Sequence, residues 1–436
     1  MRNLWLEASP FRLAQTLGVL LLVLAVTFSM PGVISSAGAA LILYWFFAVL
    51  WGTRSAALSV VIEIRERTWD GQKLSSLSPA QMMWGKLLGA TSANWFGALP
   101  CLYFILAPVW QAMGPGPALT YGVILVGLAL FAQAVSLLSS LVLIRRNTGN
   151  WRLDTFLCQV AGIGAAFSYY SLWNSAGAFQ RSGHEMVLWW GHAFAVTPFH
   201  LVSLLLFLAW ALVGCWRAMR AELRMANGPF VWLAYLAYLC IYSAGFESVV
   251  PRQVLLDTGL SAPALRLNLA ALAMLGSAYG MAFLEPKDPV RLRWLGEQIR
   301  AGHITKAFLA LDAWMLSYAA AMLVGLVLVA VLATGGGALF APLVLAVLGF
   351  LTRDIAIFVA MRAVAGPKGD FAALVVLAGL YLVGPIVLRA AGLPGLQFLL
   401  IPILDSGAAG VAAAWAQGIV AVMLAMRSIA AKLPRR

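Results

Sequence analysis

Long apolar runs alternate with short polar segments along the whole chain. Most runs are close to the ~20 residues that a helix needs to cross a hydrocarbon layer, whereas barrel strands are about half that length and alternate apolar with polar positions. Backbone groups in lipid must be hydrogen-bonded within the protein, so the pattern predicts an all-α transmembrane bundle. The predicted spans are residues 13–30, 34–53, 87–109, 120–144, 156–173, 193–216, 229–246, 265–284, 312–334, 338–361, 371–390 and 398–427.

The twelve predicted spans fall into two groups of six. Two spans precede a polar segment at 54–86 and four follow it, and the same order recurs around the polar segment 285–311. The pattern therefore predicts two six-helix halves, residues 1–217 and 218–436, joined near 217–229. An even number of spans also places both termini on one side of the membrane.

Composition and charge agree with this organisation. The chain is 62% hydrophobic and 10% charged, which is more apolar surface than one soluble core can bury. Of its 29 Lys and Arg residues, four fall at outer loops or outer span ends on this map: Arg181, Arg252, Arg266 and Arg389. Because cytoplasmic loops keep the positive charge, both termini are predicted to be cytoplasmic, in a plasma membrane or bacterial inner membrane.

The net charge of +13 needs no nucleic acid to explain it. Basic residues that flank membrane helices meet anionic lipid of the inner leaflet, and membrane lipid is therefore a predicted partner. The four cysteines lie singly, without a close pair typical of metal or redox sites, and are predicted to be small buried side chains: Cys101, Cys158, Cys215 and Cys240.

The polar segment after the second predicted span carries signals for a helix end. Charged residues from Glu63 to Arg67 continue the second span out of the membrane. Asp70-Gly71 predicts its end, because glycine tolerates the left-handed conformation that closes helices. The following QKLSSL, residues 72–77, is long enough for one or two helical turns along the membrane surface.

A second helix is predicted to begin directly after these turns. Ser78 is a candidate N-cap, Pro79 fits the first helical turn, and Gln81 can bond back to the N-cap amide. The predicted order is helix, break, short surface helix, break and third span. Two interpretations remain open on the residues alone: a rigid handle that a soluble partner can push, or an ordinary solvated loop.

The run TWDGQKLSSLSPAQMMWGK, residues 68–86, resembles the segment after the second transmembrane helix of ABC-2 type transporter permeases. That family has an acidic and basic cluster, then Gly-Thr-Leu-Glu, a leucine-rich stretch, Ser/Thr-Pro-Leu-Ser and Gly-Lys-Leu-Leu at the third helix. The matches, in register without a gap, are Thr68, Asp70, Leu77, Ser78 and GKLLG at 85–89.

Three positions depart from the family pattern. Arg67 stands where the family usually has glycine, Trp69 replaces leucine, and Ser76 falls at the family's proline. A further stretch, TPFHL at 197–201, resembles the Pro-Phe stretch that the family carries between its last two helices. The corresponding segment of the second half, 285–311, is longer and only partly amphipathic, and a solvated charged loop remains its alternative.

The resemblance implies the membrane permease subunit of an ATP-driven transporter, by default an exporter, and not an enzyme. It implies that separate ATPase subunits bind ATP and dock beneath segments 63–86 and 285–311, and further permease or accessory subunits are compatible with it. The halves would face each other around a path lined by their first, second and fifth spans. The predicted coupling residues are Glu63, Arg65, Glu66, Arg67, Thr68, Asp70, Lys73, Ser78, Lys86, Arg291, Arg293 and Glu297.

The chain itself carries no nucleotide-binding signature, cofactor motif or predicted metal site. A phosphate-binding P-loop needs Gly, four residues and Gly-Lys-Ser/Thr after a strand, whereas Gly85-Lys86 is preceded by Ala80 at the first glycine position. His184, His192 and His200 recur every eight residues, which spaces them about 12 Å apart on a helix and too far for one ion.

The main alternative is a twelve-span, ion-coupled secondary transporter. Such proteins need titratable groups at mid-membrane, and the candidates are Arg353, Asp354, Asp405 and Glu247. Arg353-Asp354 either forms a pair within the bundle or marks an early inner end of the tenth span. Two further classes, an intramembrane enzyme and a membrane scaffold, lack a supporting constellation of residues.

Overall fold

The computed structural model describes residues 35–144, 151–180, 186–246, 260–335 and 337–432, together with Gly18. The first predicted span and both chain ends lie outside these residues, apart from Gly18. The predicted cytoplasmic position of the termini therefore stays a prediction.

Helices form almost all of the described chain. They are α1 (Ser36–Arg65), α2 (Trp69–Lys73), α3 (Pro79–Trp84), α4 (Ser92–Met113), α5 (Pro115–Ile144), α6 (Trp151–Gln180), α7 (Val196–Glu222), α8 (Phe230–Ala244), α9 (Ala262–Leu284), α10 (Pro289–Arg300), α11 (Ile304–Leu309), α12 (Ala313–Thr334), α13 (Ala341–Ala365), α14 (Gly369–Ala390) and α15 (Gly407–Lys432). Strands β1 (Met186–Trp189) and β2 (His192–Ala195) form a hairpin.

Each of the eleven predicted spans from residue 34 onward overlaps a described helix, with ends that differ by several residues. Nine of the described helices are long and apolar enough to cross a membrane: α1, α4, α5, α7, α9, α12, α13, α14 and α15. At the other two positions, α6 is not among the nine and α8 is a shorter apolar helix of 15 residues. The prediction of a helical, multi-pass membrane protein is confirmed at this level, and the count of twelve spans stays a prediction.

The chain divides into two compact units. One extends to Val187 and adds Phe194–Asn227, and the other contains Leu188–Ala193 and the chain from Gly228 onward. The division falls within the predicted joining segment 217–229. That each unit is a six-helix half of one transporter stays a prediction.

Helix α5 is central to the first unit. One core cluster joins it to α1 and α4, and a second joins it to α1, α3 and α7. Side chains of α5 also satisfy carbonyls of α1, since Gln133 Nε2 donates to Ala48 O at 2.8 Å and Ser136 Oγ donates to Thr53 O at 2.8 Å. Apolar packing and buried hydrogen bonds therefore hold α5 against α1.

In the second unit, α13 packs along α15 through small residues. A Cβ atom added at Gly349 would lie 2.9 Å from Ala414 Cβ, and one at Gly418 would lie 3.1 Å from Gly349 O. Small residues at such crossings let helix backbones approach closely, which is a common packing mode in membranes. A large core cluster joins α13 to α8, α9, α12, α14 and α15.

The β-hairpin was not predicted from the sequence. Trp190 and Gly191 at its turn both have positive φ, 52° and 76°, as a tight two-residue hairpin turn requires. The indole nitrogens of Trp189 and Trp190 donate to the carbonyls of Tyr242 (3.1 Å) and Ile241 (3.2 Å) near the end of α8. The hairpin tip thus adds donors to carbonyls in the last turn of α8, where the Tyr242 carbonyl also accepts from the Gly245 N–H.

Gly162 of α6 tests the close packing in the first unit. A Cβ atom there would lie 2.5 Å from Ala132 O and 2.9 Å from Ser136 Cβ, whereas a Cβ at Gly164 meets nothing within 4 Å. We expect Gly162→Ala to destabilise the fold by about 1–3 kcal/mol because α5 and α6 must separate. Gly164→Ala should be neutral or slightly stabilising, since alanine favours helix. Thermal unfolding in detergent measures both, and equal midpoints would contradict the packing.

Candidate functional site

Helix α1 is closed after Arg65 by a turn centred on Arg67. Arg67 has φ 57°, its N–H donates to Ile64 O at 3.1 Å, and the N–H of Thr68 donates to Glu63 O at 2.9 Å. These two bonds around a left-handed residue form a Schellman motif. The prediction that Asp70-Gly71 ends the helix is therefore wrong, because the helix carbonyls are already satisfied before it. The left-handed residue falls where ABC-2 permeases usually carry glycine.

The short surface helix exists but begins earlier than predicted. Helix α2 covers Trp69–Lys73, whereas 72–77 was expected, and Asp70-Gly71 lies inside it. Trp69 explains the shift, because it is buried in a core cluster with residues of α1, α3, α5 and α7. Its indole N–H also donates to Glu222 Oε2 of α7 at 3.4 Å. Burial of Trp69 therefore fixes where α2 forms.

The predicted restart of the helix at Ser78 is confirmed. The Gln81 N–H donates to Ser78 Oγ at 3.3 Å, and the Ser78 N–H donates to Gln81 Oε1 at 2.9 Å, with Pro79 in the first turn. This capping box satisfies two backbone donors at the start of α3. Local sequence signals were sufficient here, because every group involved lies within four residues.

A buried lysine connects the two ends of the segment. Lys86 is 4% exposed, forms a salt bridge with Glu63, donates to Ser59 O at 3.0 Å and lies 4.9 Å from the Trp69 ring centroid. Gln72 Nε2 donates to the other Glu63 oxygen at 2.6 Å. Burial lowers the pKa of Lys86 from its ordinary value, and the Glu63 carboxylate opposes this shift. Glu63 and Lys86, both predicted coupling residues, thus face inward.

The other predicted residues of this segment are on or near the surface. Lys73 is partly buried between Asp70 (3.2 Å) and Glu222 (3.7 Å). The exposed members are Arg65, Glu66, Arg67, Thr68, Asp70 and Ser78. Sequence analysis did not select Leu74 and Leu77 as coupling residues, although both lie in this segment and are 88% and 46% exposed. Large apolar side chains exposed among charges are typical of a surface that a partner covers.

The second predicted segment forms α10 and α11. Asp288 caps α10 by accepting from the Val290 N–H at 2.9 Å. Arg291 reaches the start of α12, where Nη2 contacts Asp312 Oδ1 at 2.8 Å and Ala310 O at 2.7 Å. Burial raises the pKa of Asp312, and Arg291 opposes this shift. Arg291 therefore ties α10 to the start of a spanning helix.

Several of the remaining residues of α10 face outward, whereas Leu295 is buried. Arg293 pairs with Glu297 at 3.0 Å across one helical turn, and both side chains are exposed. Val290, Trp294 and Ile299, which gave the partly amphipathic pattern, are also exposed, at 60%, 40% and 58%. Such an exposed pair contributes little stability. These residues therefore form an outer surface of charged and apolar side chains.

A second buried lysine lies just before α10. Lys287 is 1% exposed and its Nζ contacts Asp370 Oδ1 at 2.9 Å and Glu285 O at 3.0 Å. Arg362 Nη1 reaches the other Asp370 oxygen at 3.5 Å. Sequence reasoning missed this cluster, because Lys287 and Asp370 are 83 positions apart and no local pattern relates them.

The Arg353-Asp354 pair lies buried inside α13. Arg353 Nε contacts Asp354 Oδ1 at 2.9 Å, and the hydroxyls of Tyr279 and Tyr381 donate to Asp354 Oδ2 at 2.8 and 2.6 Å. Arg353 Nη1 donates to Gln417 Oε1 at 3.0 Å. Pairing within the bundle is confirmed. The alternative, that the pair marks an early inner end of the tenth span, stays a hypothesis, because a helix can continue beyond the membrane as α13 continues to Ala365.

Other candidate groups are separated in the fold. His192 lies on β2 and His200 on α7, while His184 and Glu247 lie outside the described residues, and Asp405 is exposed. Across the described stretches, no group of three His, Cys, Asp or Glu side chains is placed to hold a metal ion. The cysteines are free, with three buried, as predicted, and Cys240 partly buried.

Comparison with known proteins gives no match. No family model, no curated protein and no solved structure matches this chain. Arguments about function therefore rest on the residues and their geometry.

Removing one partner of the buried Lys86 pair should be costly. We expect Glu63→Gln to lower the free energy of unfolding by about 3–5 kcal/mol, because it leaves a buried ammonium without its carboxylate. Glu297→Gln is the matched control, since its exposed pair is worth less than about 1 kcal/mol. Thermal or denaturant unfolding of the purified chain measures both. Similar stability losses would show that Glu63 has no special structural role.

Proposed function

We propose that this chain is the membrane permease subunit of an ATP-driven transporter of the ABC-2 type. The observation that carries the proposal is the construction of segment 63–86. A short helix lies between two helices that lead into the membrane, and buried side chains fix it to both. A rigid segment of this kind, with an exposed charged and apolar surface, can transmit the movement of a soluble partner.

The geometry divides the predicted coupling residues into two roles. Glu63 and Lys86 hold the ends of the segment together, and Ser78 caps the start of α3. The exposed residues around α2 would contact the ATPase, and Leu74 joins them as the most exposed large apolar side chain of the segment. In the second unit, exposed Arg293 and Glu297 would take the contact role, while Arg291 holds α10 to α12.

The left-handed conformation of Arg67 adds support to the family resemblance. Glycine is the residue that adopts positive φ without strain, and the family usually carries glycine at this position. The backbone at Arg67 has the conformation that such a glycine would allow. The backbone conformation at position 67 therefore agrees with the family pattern, although the residue type, arginine, does not.

The remaining features of the proposal follow from the resemblance and the hydropathy pattern. Two six-helix halves would face each other around a path lined by their first, second and fifth spans, in a plasma membrane or bacterial inner membrane. ATP would bind to partner ATPase subunits and not to this chain. Export is the proposed direction, and membrane lipid surrounds the spans.

The surroundings of Asp354 weigh against an ion-coupled secondary transporter. Three donors, Arg353 Nε and the hydroxyls of Tyr279 and Tyr381, converge on this carboxylate. Arg353 in turn donates to Gln417 of α15. These bonds account for the buried pair as a structural link between helices of one unit, without a role in ion coupling.

Substitutions on the exposed surface of the segment test the proposal. We expect the full chain, purified from its own cells, to bring down an ATPase subunit and ATP hydrolysis. Leu74→Asp, or charge reversal at Glu66 and Arg67, should remove most of that activity without changing thermal unfolding, because these side chains are exposed. Leu339→Asp is the control, since Leu339 is 68% exposed in the loop before α13.

Two results would contradict the proposed function. One is equal ATP hydrolysis in the Leu74→Asp, Leu339→Asp and unmodified samples. The other is substrate transport by the purified chain on an ion gradient, with no ATPase subunit present.

A further inference from the structure

All buried residues of helix α14 lie in its first half. Among the nine candidate spans of the described chain, it has the smallest buried share. Its buried residues are Gly369, Asp370, Ala373 and Leu377, whereas no residue of the described stretch 379–390 is buried. At its inner end, Asp370 is fixed by Lys287 and Arg362. Packing therefore holds one half of the helix and leaves the other weakly held.

The backbone changes at the place where burial ends. Residues Gly379–Val383 form a π turn, and Gly384-Pro385 follows directly. Pro385 has no N–H, so the carbonyl of Tyr381, four residues earlier, lacks its α-helical donor. Prolines and π turns are the usual causes of sharp kinks in helices. The sequence GLYLVGP thus weakens the backbone at a single position along α14.

Tyr381, inside the π turn, is bonded to the packed part of the unit. Its hydroxyl donates to Asp354 Oδ2 at 2.6 Å, and its ring centroid lies 5.2 Å from the Arg353 guanidinium. The large side chains that follow it are exposed: Leu382, Val383, Ile386 and Val387. Tyr381 therefore joins the π turn to α13, beyond Leu377, the last buried residue of α14.

The acceptor of this hydrogen bond is itself fixed. Asp354 also accepts from Tyr279 of α9 and from Arg353, and Arg353 donates to Gln417 of α15. Gln417 Nε2 in turn donates to Leu399 O at 2.7 Å. Asp354 is thus held by three helices and is a rigid point of attachment for Tyr381.

The outer half of α14 rests on an irregular segment. Gln397 Nε2 donates to Pro385 O at 2.9 Å, and a Cβ atom at Gly384 would lie 2.5 Å from Leu400 Cδ1. Residues Pro394–Leu399 form a 3-10 turn, although the sequence predicted that a span begins at residue 398. That span begins later, with the α-helix starting at Gly407. Short turns of this kind deform more readily than a helix within a bundle.

We propose that α14 bends at the π turn, and that the hydrogen bond from Tyr381 to Asp354 is the latch that sets its angle. The outer half is about 13 Å long, so a change of about 20° moves its end by roughly 5 Å. The proposal concerns one unit by itself. It does not depend on the proposed ATPase coupling, and its test needs no partner.

Spin labels report the angle of each half of α14. One pair joins Ile386→Cys in the outer half to Leu323→Cys on α12, and a second pair joins Val375→Cys in the inner half to the same reference. All three positions are exposed, at 68%, 65% and 57%. The full chain is reconstituted in lipid nanodiscs, after replacement of its native cysteines at 101, 158, 215 and 240. Pulsed electron resonance then gives the two distance distributions.

Two tyrosine substitutions form a matched pair. Tyr381→Phe and Tyr279→Phe each remove one hydroxyl from the same Asp354 oxygen, but only Tyr381 lies on the π turn. We expect Tyr381→Phe to shift or broaden the 386–323 distribution by several ångströms and to leave the 375–323 distribution unchanged. Tyr279→Phe should leave both unchanged. Equal effects of the two substitutions, or no effect of Tyr381→Phe, would overturn the latch.

A third variant tests the hinge itself if Tyr381→Phe does not fold. Pro385→Ala restores an N–H that can bond to the Tyr381 carbonyl and straighten the helix. We expect the 386–323 distribution to shift and narrow, again without change at 375–323. An unchanged 386–323 distribution would rule out a hinge at this turn.

Discussion

A charge that a protein buries must find its partner within the protein, because the interior offers neither water nor counter-ions. Three cations of this chain show this constraint: Lys86 pairs with Glu63, Lys287 with Asp370, and Arg353 with the adjacent Asp354. The first two pairs join segments that are distant in the chain. The positions of the helices around them therefore depend on these pairings, and not on apolar packing alone.

Such pairs contribute more to geometry than to net stability. Desolvation of two charges offsets most of their attraction, so an apolar pair of similar size can be equally stable. An apolar contact, however, tolerates sliding by part of a helical turn, whereas an ammonium and a carboxylate in a buried site do not. Lys86 and Glu63 thus fix the distance between the end of α1 and the turn that joins α3 to α4. Apolar packing alone would leave this distance adjustable.

Local rules of sequence predicted much of this structure, and contacts between distant residues account for the rest. Hydropathy placed helices at every described span, and Ser78, Pro79 and Gln81 signalled the capping box because those residues interact within one turn. The position of α2 depends on Trp69 meeting Glu222, 153 residues away, which no local pattern contains. The end of α1 was assigned to a glycine by propensity, but the hydrogen bonds of the helix close it at Arg67.

A segment that transmits movement must be stiffer than the contact that moves it. To shift α2 against α1, a partner would have to break the hydrogen bond from Gln72 to Glu63 and withdraw Trp69 from its core cluster. Loss of a buried aromatic side chain costs about 3–5 kcal/mol. Exposed charge contacts are each worth less than about 1 kcal/mol. A partner that pushes on the exposed residues of α2 would therefore move α1, α2 and α3 together more easily than it would deform the segment.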